Sequence, residues 1–169
     1  CIRDRGYADQ GRAYLFYGSD TGLPANPTST LYLRDPFPGA HYGHAVDGAG
    51  DLNADGFADI VVGAPGYEDT VADEGRAFVY VGGLAAITGG TFLTVSAGFA
   101  ARMRFGEAVT GAGDFNDDGF ADFAVGAPGD TSGVGRVFVF NGQMAMTPFH
   151  DGPVLMPNPA ESGGRFGLA

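Results

Sequence analysis

The stretch Asp51–Pro65 reads DLNADGFADIVVGAP, and its first nine residues carry three aspartates and an asparagine directly before an apolar run. Two carboxylates about 5 Å apart repel each other by about 3 kcal/mol at an effective dielectric near 20, so such a cluster requires a compensating charge. The same pattern returns as DFNDDGFADFAVGAP from Asp114 to Pro128, 63 residues later. An acidic cluster that recurs at a fixed spacing indicates a repeated structural unit.

Other segments repeat with the same or nearly the same period. The segment HYGHAV at 41–46 matches RFGEAV at 104–109, again 63 residues apart. A segment that begins with Gly-Arg occurs three times, as GRAYLFYG at Gly11, GRAFVYVGG at Gly75 and GRVFVFNG at Gly135. The 30 glycines are far more than the usual share of about 7 %. Because they recur at fixed positions, they mark the turns of a tandem repeat of about 60 residues and not a low-complexity segment.

Each repeat is predicted to be β-structure. Short apolar runs rich in β-branched and aromatic residues predict strands buried on both faces, at Ala58–Val62, Ala77–Val81, Ala121–Val125 and Val137–Phe140. A weaker fourth strand is predicted at 31–33, 92–95 and 154–156. Gly or Pro interrupts almost every window of helical length, which leaves room for only a short helical turn at 99–104. Four strands per unit predict an all-β fold of β-propeller blades, with an ordinary β-sandwich as the alternative.

The two acidic loops carry the side chains of a calcium site. Counted from the first aspartate, oxygen-bearing side chains occupy positions 1, 3, 5 and 9, a glycine at position 6 permits a sharp turn, and position 7 offers its backbone carbonyl. Ca²⁺ requires such hard oxygen ligands, whereas Mg²⁺ prefers few protein ligands and several waters. Two Ca²⁺ sites are therefore predicted, with the ligands Asp51, Asn53, Asp55, Phe57 and Asp59 in one and Asp114, Asn116, Asp118, Phe120 and Asp122 in the other.

The calcium loops do not belong to an EF-hand. An EF-hand needs a bidentate glutamate at position 12, where this chain has Val62 and Val125. The flanking segments are also predicted strands and not helices. Each loop is therefore expected to close a β-hairpin between the first two strands of a blade. The alternative is an acidic turn held by side-chain hydrogen bonds without a metal.

The combined motifs YG…DLNADGFADIVVGAP and FG…DFNDDGFADFAVGAP resemble FG-GAP repeats, which build the seven-bladed β-propeller of integrin α subunits and related bacterial and fungal propellers. The resemblance covers nearly the whole chain, with Tyr42 in place of the motif's phenylalanine. It implies calcium binding at the ten residues named above. It also implies an extracellular or cell-surface module for adhesion or recognition of another macromolecule, with the Ca²⁺ mainly structural.

The repeat predicts how the chain is divided. Residues 1–40 hold the later strands of a partial blade, 41–103 and 104–164 are two FG-GAP blades with calcium loops, and 165–169 start the next blade. Closed propellers have about 4 to 8 blades, whereas this chain holds about 2.7 units. Further blades are therefore expected, from a longer form of the same chain or from other chains.

Charge and composition exclude several kinds of partner. The net charge of −11 disfavours nucleic acids and anionic membrane surfaces, because contacts with phosphates need clustered Lys and Arg. No apolar run is long enough to span a membrane, and the single cysteine, Cys1, cannot form an internal disulfide. The protein or glycan ligand of such a module is not identified by its sequence.

Catalysis is not expected. His41 and His44 are replaced by Arg104 and Glu107 in the next repeat, and His150 stands alone in a linker. A side chain that changes between structural copies is typical of a blade surface. The recurring arginines of the Gly-Arg segments are expected to be structural and to pair with acidic neighbours such as Asp9 or Glu74.

Two further functions stay open from the sequence. One is a carbohydrate-binding propeller, and the other is a non-catalytic propeller domain of a secreted hydrolase or lyase. The loops at 66–74 and 129–134 differ in length and composition between the repeats. Such variable loops commonly carry ligand specificity in repeat folds.

Overall fold

The computed structural model describes residues 8–33, 35, 37–85, 87, 93–95, 101–129, 135–144 and 150–155. These residues form ten β-strands and no helix. The strands are β1 Ala13–Leu15, β2 Ser29–Leu31, β3 Val46–Gly50, β4 Asp59–Ala64, β5 Arg76–Tyr80, β6 Leu93–Val95, β7 Ala108–Gly113, β8 Asp122–Ala127, β9 Arg136–Asn141 and β10 His150–Leu155.

The strands pair in three antiparallel sheets that follow the sequence repeat. Strands β1 and β2 form a pair, here called the first blade; β3–β6 form the middle blade and β7–β10 the last blade. In both four-stranded sheets each strand pairs with its neighbour in sequence. The prediction of an all-β fold with four antiparallel strands per propeller blade is confirmed. The finer division of the chain at residues 40, 103 and 164 stays a prediction.

Predicted strand positions differ from the observed ones by a few residues. Strand β2 ends at Leu31, where the fourth strand of its unit was expected to begin, and β10 starts at His150 and not at Val154. The expected helical turn at 99–104 lies partly outside the described residues, and within it residues 101 and 102 form a turn. Val137 and Phe138 of β9 are only partly buried, which differs from the expected burial on both faces.

The hydrophobic core lies between neighbouring sheets. One buried cluster joins Val61 and Val79 of the middle blade to Phe123, Val125 and other residues of the last blade. A second cluster joins Leu31 and neighbouring residues of the first blade to the opposite face of the middle blade. Strands β4 and β5 are therefore covered on both sides, which explains why their sequences are apolar after the first residue.

The glycines of the FG and GAP segments allow neighbouring blades to approach through their backbones. Gly106 has φ 90°, and a Cβ atom at this residue would lie 2.5 Å from the carbonyl oxygen of Arg76 in the middle blade. Its N–H donates to the carbonyl of Gly126 in its own blade at 3.1 Å. A Cβ at Gly63 would overlap the carbonyl oxygen of Gly106. The glycines of the motif thus permit close backbone contacts between neighbouring blades and within one blade.

A buried pair of tyrosines replaces phenylalanines in the middle blade. The hydroxyls of Tyr42 and Tyr80 are hydrogen-bonded at 2.5 Å, and both side chains are fully buried. The equivalent residues of the last blade, Phe105 and Phe140, meet edge to face with ring centroids 6.0 Å apart. Burial raises the pKa of Tyr42, and it raises the pKa of Tyr80 to about 12. The two tyrosine hydroxyls therefore satisfy each other's hydrogen bonding, whereas the two phenylalanines of the last blade have no hydroxyl groups.

We expect this tyrosine pair to make the protein unstable in alkali. A tyrosine of the unfolded chain ionises near pH 10, whereas both phenols stay protonated in the folded chain at that pH. Rising pH between about 10 and 12 therefore favours the unfolded state, which releases protons that the folded state retains. The double variant Tyr42→Phe, Tyr80→Phe should resist alkali better, and Tyr42→Phe alone should cost about 1 kcal/mol at neutral pH.

Urea unfolding from pH 7 to pH 12 measures both effects. The control is Tyr14→Phe, because Tyr14 lies at the surface and is 36 % exposed. An alkaline midpoint that is the same in the double variant and in the unchanged protein would show that the pair does not limit stability.

Candidate metal centre

The two acidic loops connect the first and second strands of the four-stranded blades. The loop from Asp51 to Asp59 joins β3 to β4, and the loop from Asp114 to Asp122 joins β7 to β8. Each hairpin has a register irregularity just before the loop, at Gly50 and at Gly113, and both glycines have positive φ. The loops therefore lie where the sequence placed them, at equivalent ends of two blades.

The side chains of the first loop turn inward onto its own backbone. Asp51 accepts the N–H groups of Asp55 and Gly56 at 3.0 and 2.8 Å through its two carboxylate oxygens. Asn53 Oδ1 also accepts the N–H of Asp55, and Asp55 Oδ1 accepts the N–H of Phe57 at 2.9 Å. Oxygens at positions 1, 3 and 5 thus converge on the same turn of backbone.

The second loop repeats this geometry. Asp114, Asn116 and Asp118 accept the equivalent backbone N–H groups at 2.9–3.1 Å. In both loops the glycine at position 6 has a φ of about 90°, as the sequence predicts for a sharp turn. Position 4 also has positive φ, at Ala54 and Asp117. The sequence did not indicate this for Ala54, because alanine rarely adopts the left-handed conformation.

The aspartate at position 9 ties the loop to its blade. Asp59 is fully buried, and it accepts N–H groups from Leu52 at 2.8 Å and from Gly82, which follows β5, at 2.7 Å. Asp122 is bound in the same way by Phe115 and Gly142. The sequence indicated these two aspartates only as metal ligands, and their bonds to Gly82 and Gly142 join residues that are 23 and 20 positions apart.

The carboxylates of the first loop lie close enough to repel one another. Burial raises the pKa of the Asp59 carboxyl, the charges of Asp55 and Asp51 add to the rise, and the bonds from Gly82 and Leu52 oppose it. The hydrogen bonds from Gly82 and Leu52 therefore do not fully compensate the Asp59 carboxylate for its loss of hydration. A cation would supply the missing positive charge.

The donor chemistry of the loops fits Ca²⁺. Each loop offers three carboxylates, one side-chain amide oxygen and the carbonyl at position 7, which are all hard oxygen ligands. A carboxylate has about four lone-pair sites, so an oxygen that accepts one N–H can still bind a cation. Within the described part of the chain, no group of three or more His, Cys, Asp or Glu side chains is arranged to hold a metal ion. The two ligand sets therefore stay predictions.

His44, Arg76 and Arg104, which lie outside the acidic loops, make contacts with acidic side chains. His44 Nε2 lies 3.6 Å from Glu107 of the last blade, which also contacts Arg104. Arg76 lies 3.5 Å from Glu74, as expected from the sequence, and its guanidinium stacks on the ring of Tyr67 at 4.5 Å. Of the two variable loops, the one at 66–74 is described and carries this arginine network, and most of the one at 129–134 lies outside the described residues.

A cleft of about 490 Å³ opens beside the first loop, between the first and middle blades. It is lined mainly by apolar groups, among them Tyr17, Phe57 and Ile60. The sequence did not indicate this cleft, because its walls come from segments that are far apart in the repeat. As for membranes, the described residues include no helix with the length and apolar character needed to cross one.

Comparison with known proteins agrees with the repeat. The FG-GAP repeat family matches residues 42–80 and 105–140, which are the middle and last blades up to β5 and β9. Integrin alpha-4 of Xenopus laevis is 42 % identical over 133 residues, 79 % of this chain and 12 % of that protein. Integrin alpha-5 of Xenopus laevis is 40 % identical over 137 residues, 76 % of this chain and 13 % of that protein.

A mammalian integrin alpha subunit is also similar to this chain over most of the chain's length. Integrin alpha-IIb of Mus musculus is 32 % identical over 140 residues, 83 % of this chain and 13 % of that protein. The chain thus spans only about an eighth of the length of these relatives. Together with the four-stranded sheets and the matched repeats, these similarities show that the chain is an integrin-α-like FG-GAP repeat protein whose sheets are blades of a β-propeller.

Proposed function

We propose that this chain is a calcium-binding β-propeller module that acts outside the cell or at its surface, in adhesion or in recognition of another macromolecule. The observation that carries the calcium proposal is the recurrence of one loop geometry in two blades. Both turns have positive φ at positions 4 and 6, and both direct the same side-chain oxygens inward. This shared geometry favours a common ligand over two unrelated acidic turns.

Ca²⁺ would act here as a structural ion. It would supply positive charge to Asp51, Asp55 and Asp59, whose mutual repulsion is otherwise opposed by backbone N–H groups and by the Asn53 amide, which donates to Asp55. By joining positions 1, 3, 5, 7 and 9, it would also fix the end of the β3–β4 hairpin. The equivalent residues of the second loop would do the same for β7 and β8.

The proposal of adhesion or recognition rests on the relatives. They are named integrin alpha subunits, and the chain shares their repeat over most of its own length. The residues best suited to acid–base chemistry, His41 and His44, lie on a blade surface where the next repeat has other side chains, so we assign the chain no catalytic role. Further blades and a protein or glycan ligand are the partners that this role requires.

The ion count tests the calcium proposal. Native mass spectrometry in Ca²⁺ should show two bound ions, and Asp55→Ala and Asp118→Ala should each remove one. These two aspartates are exposed turn residues, so their replacement leaves the hydrophobic core intact. Asp20→Ala is a matched control, because Asp20 is an exposed aspartate of a turn outside both loops. A variant with an unaltered count would show that its loop is not a calcium site.

A further inference from the structure

The first calcium loop is also a contact surface for the last blade. The carbonyl of Asp51 accepts the N–H of Ala121 at 3.1 Å, and the carbonyl of Leu52 accepts the N–H of Gln143 at 2.8 Å. Ala121 directly precedes β8, and Gln143 follows β9. Positions 1 and 2 of the loop therefore bind two separate segments of the last blade through their backbones.

The side chain at position 2 strengthens this contact. Leu52 is fully buried in the cluster that joins the middle and last blades. The fit is close, because a Cβ atom at Gly142 would lie 2.6 Å from the carbonyl oxygen of Leu52. Ala121 also faces Gly50, where a Cβ would lie 2.7 Å from the Ala121 methyl. The last blade thus packs directly against the loop.

The second loop shows that burial at position 2 comes from the neighbouring blade. Phe115 occupies the same position, in a loop with the same internal hydrogen bonds, and is 58 % exposed. A loop of this shape therefore does not bury its own second side chain. The burial of Leu52 is a property of the contact between blades.

The peptide at positions 1 and 2 connects the ligand set to this contact. The N–H of Leu52 donates to the buried carboxylate of Asp59, while the carbonyl of Leu52 accepts from the last blade. Asp51 supplies two carboxylate oxygens to the turn and its carbonyl to Ala121. Any change that fixes Asp51 and Asp59 therefore also fixes the two carbonyls that the last blade contacts.

We propose that Ca²⁺ binding at the first loop is coupled to the docking of the last blade on the middle blade, so that each strengthens the other. This coupling rests on the proposed calcium function. Because coupling between two binding events is reciprocal, weakening the contact between the blades lowers the calcium affinity of the first loop. The Ca²⁺ at this loop then stabilises the contact between two blades as well as the β3–β4 hairpin.

Calcium affinity in single-site variants tests the coupling. Asp118→Ala leaves only the first loop able to bind, and in that variant Leu52→Ala should raise the Ca²⁺ dissociation constant about tenfold in calorimetric titration. The matched control is Phe115→Ala in the Asp55→Ala variant. It shortens the side chain at the same position of the other loop, where that side chain is exposed, and should change the affinity by less than about twofold.

Amide hydrogen exchange gives a second test that leaves the core unchanged, in case Leu52→Ala prevents folding. The N–H of Gln143 bonds to Leu52 of the first loop, and the adjacent N–H of Gly142 bonds to Asp122 of the second. In the Asp118→Ala variant, Ca²⁺ should slow exchange at Gln143 about tenfold. In the Asp55→Ala variant, Ca²⁺ should protect Gly142 and leave Gln143 nearly unchanged.

The outcomes separate this inference from the proposal on which it rests. If neither loop binds Ca²⁺, the calcium function is wrong and the coupling fails with it. If the first loop binds Ca²⁺ while exchange at Gln143 does not change and Leu52→Ala leaves the affinity intact, the ion is present and the coupling is overturned. Slower exchange at Gln143 in the Asp55→Ala variant as well would also overturn it, because the effect would not be specific to the first loop.

Discussion

Removing Ca²⁺ is expected to lower the midpoint of thermal unfolding by about 10–20 °C. A ligand at about 100 times its dissociation constant stabilises the folded state by about 2.7 kcal/mol per site, so two sites contribute about 5 kcal/mol. In a domain of this size each kcal/mol shifts the midpoint by about 2–4 °C. The effect is large because the ion acts only on the folded chain, in which the aspartates of each loop are held together.

The structure gives this expectation a physical basis. The carboxylates of Asp51, Asp55 and Asp59 lie within one loop, and burial raises the pKa of Asp59, with the charges of Asp55 and Asp51 adding to the rise. Without a cation, folding must overcome their repulsion and the loss of water around Asp59. Chelation therefore weakens the β3–β4 hairpin, together with the contact that the loop makes with the last blade.

Differential scanning calorimetry in saturating Ca²⁺ and in chelator measures the shift. Mg²⁺ at the same concentration is a control, because it prefers few protein ligands and should restore little of the stability. The double variant Asp55→Ala, Asp118→Ala is the second control, and its midpoint should not respond to chelator. A midpoint that is the same with and without Ca²⁺ in the unchanged protein would contradict the metal assignment.

The repeat and the blades could be predicted from the sequence because the signals are local. Apolar runs such as Ala58–Val62, which ends at Gly63, predict their strands to within about two residues. The acidic loops were also placed correctly between the first two strands of each blade. Each of these features depends on residues that are neighbours along the chain.

The parts that could not be predicted depend on contacts between blades. Leu52 and Phe115 occupy the same position of the same motif, yet one is fully buried and the other is 58 % exposed. Nothing within either loop distinguishes them, because the difference comes from Gly142, Gln143 and their surroundings. The bond between Asp59 and Gly82 was missed because the two residues, although they belong to the same blade, are 23 positions apart in the sequence.

One missed feature did leave a signal in the sequence. Tyr42 and Tyr80 both replace phenylalanines of the other repeat, at positions that an alignment of the two copies brings into view. A paired change from phenylalanine to tyrosine at two buried positions indicates that the hydroxyls bond to each other, because an isolated buried hydroxyl is costly. The paired difference between the two repeats is therefore the sequence signal of this contact.

Gly63→Ala is expected to destabilise the protein by about 3 kcal/mol or more, because one methyl group at this position has no space. A Cβ at Gly63 would overlap the carbonyl oxygen of Gly106, which is backbone and cannot rotate away. The two blades would have to separate, and the cluster that contains Val61 and Phe105 lies in the same interface. If the variant does not fold, its circular dichroism will report the loss directly.

Gly48→Ala is the matched control for this substitution. Gly48 lies in β3, next to β4 in the same sheet, and a Cβ there would meet no atom within 4 Å. Because alanine restricts the unfolded chain more than glycine does, this variant should be as stable as the unchanged protein or more stable by up to about 1 kcal/mol. Urea unfolding of both variants in saturating Ca²⁺ makes the comparison. Equal stability of the two variants would show that the blades do not meet at Gly63, and the close contact that explains why the motif has glycine there would be wrong.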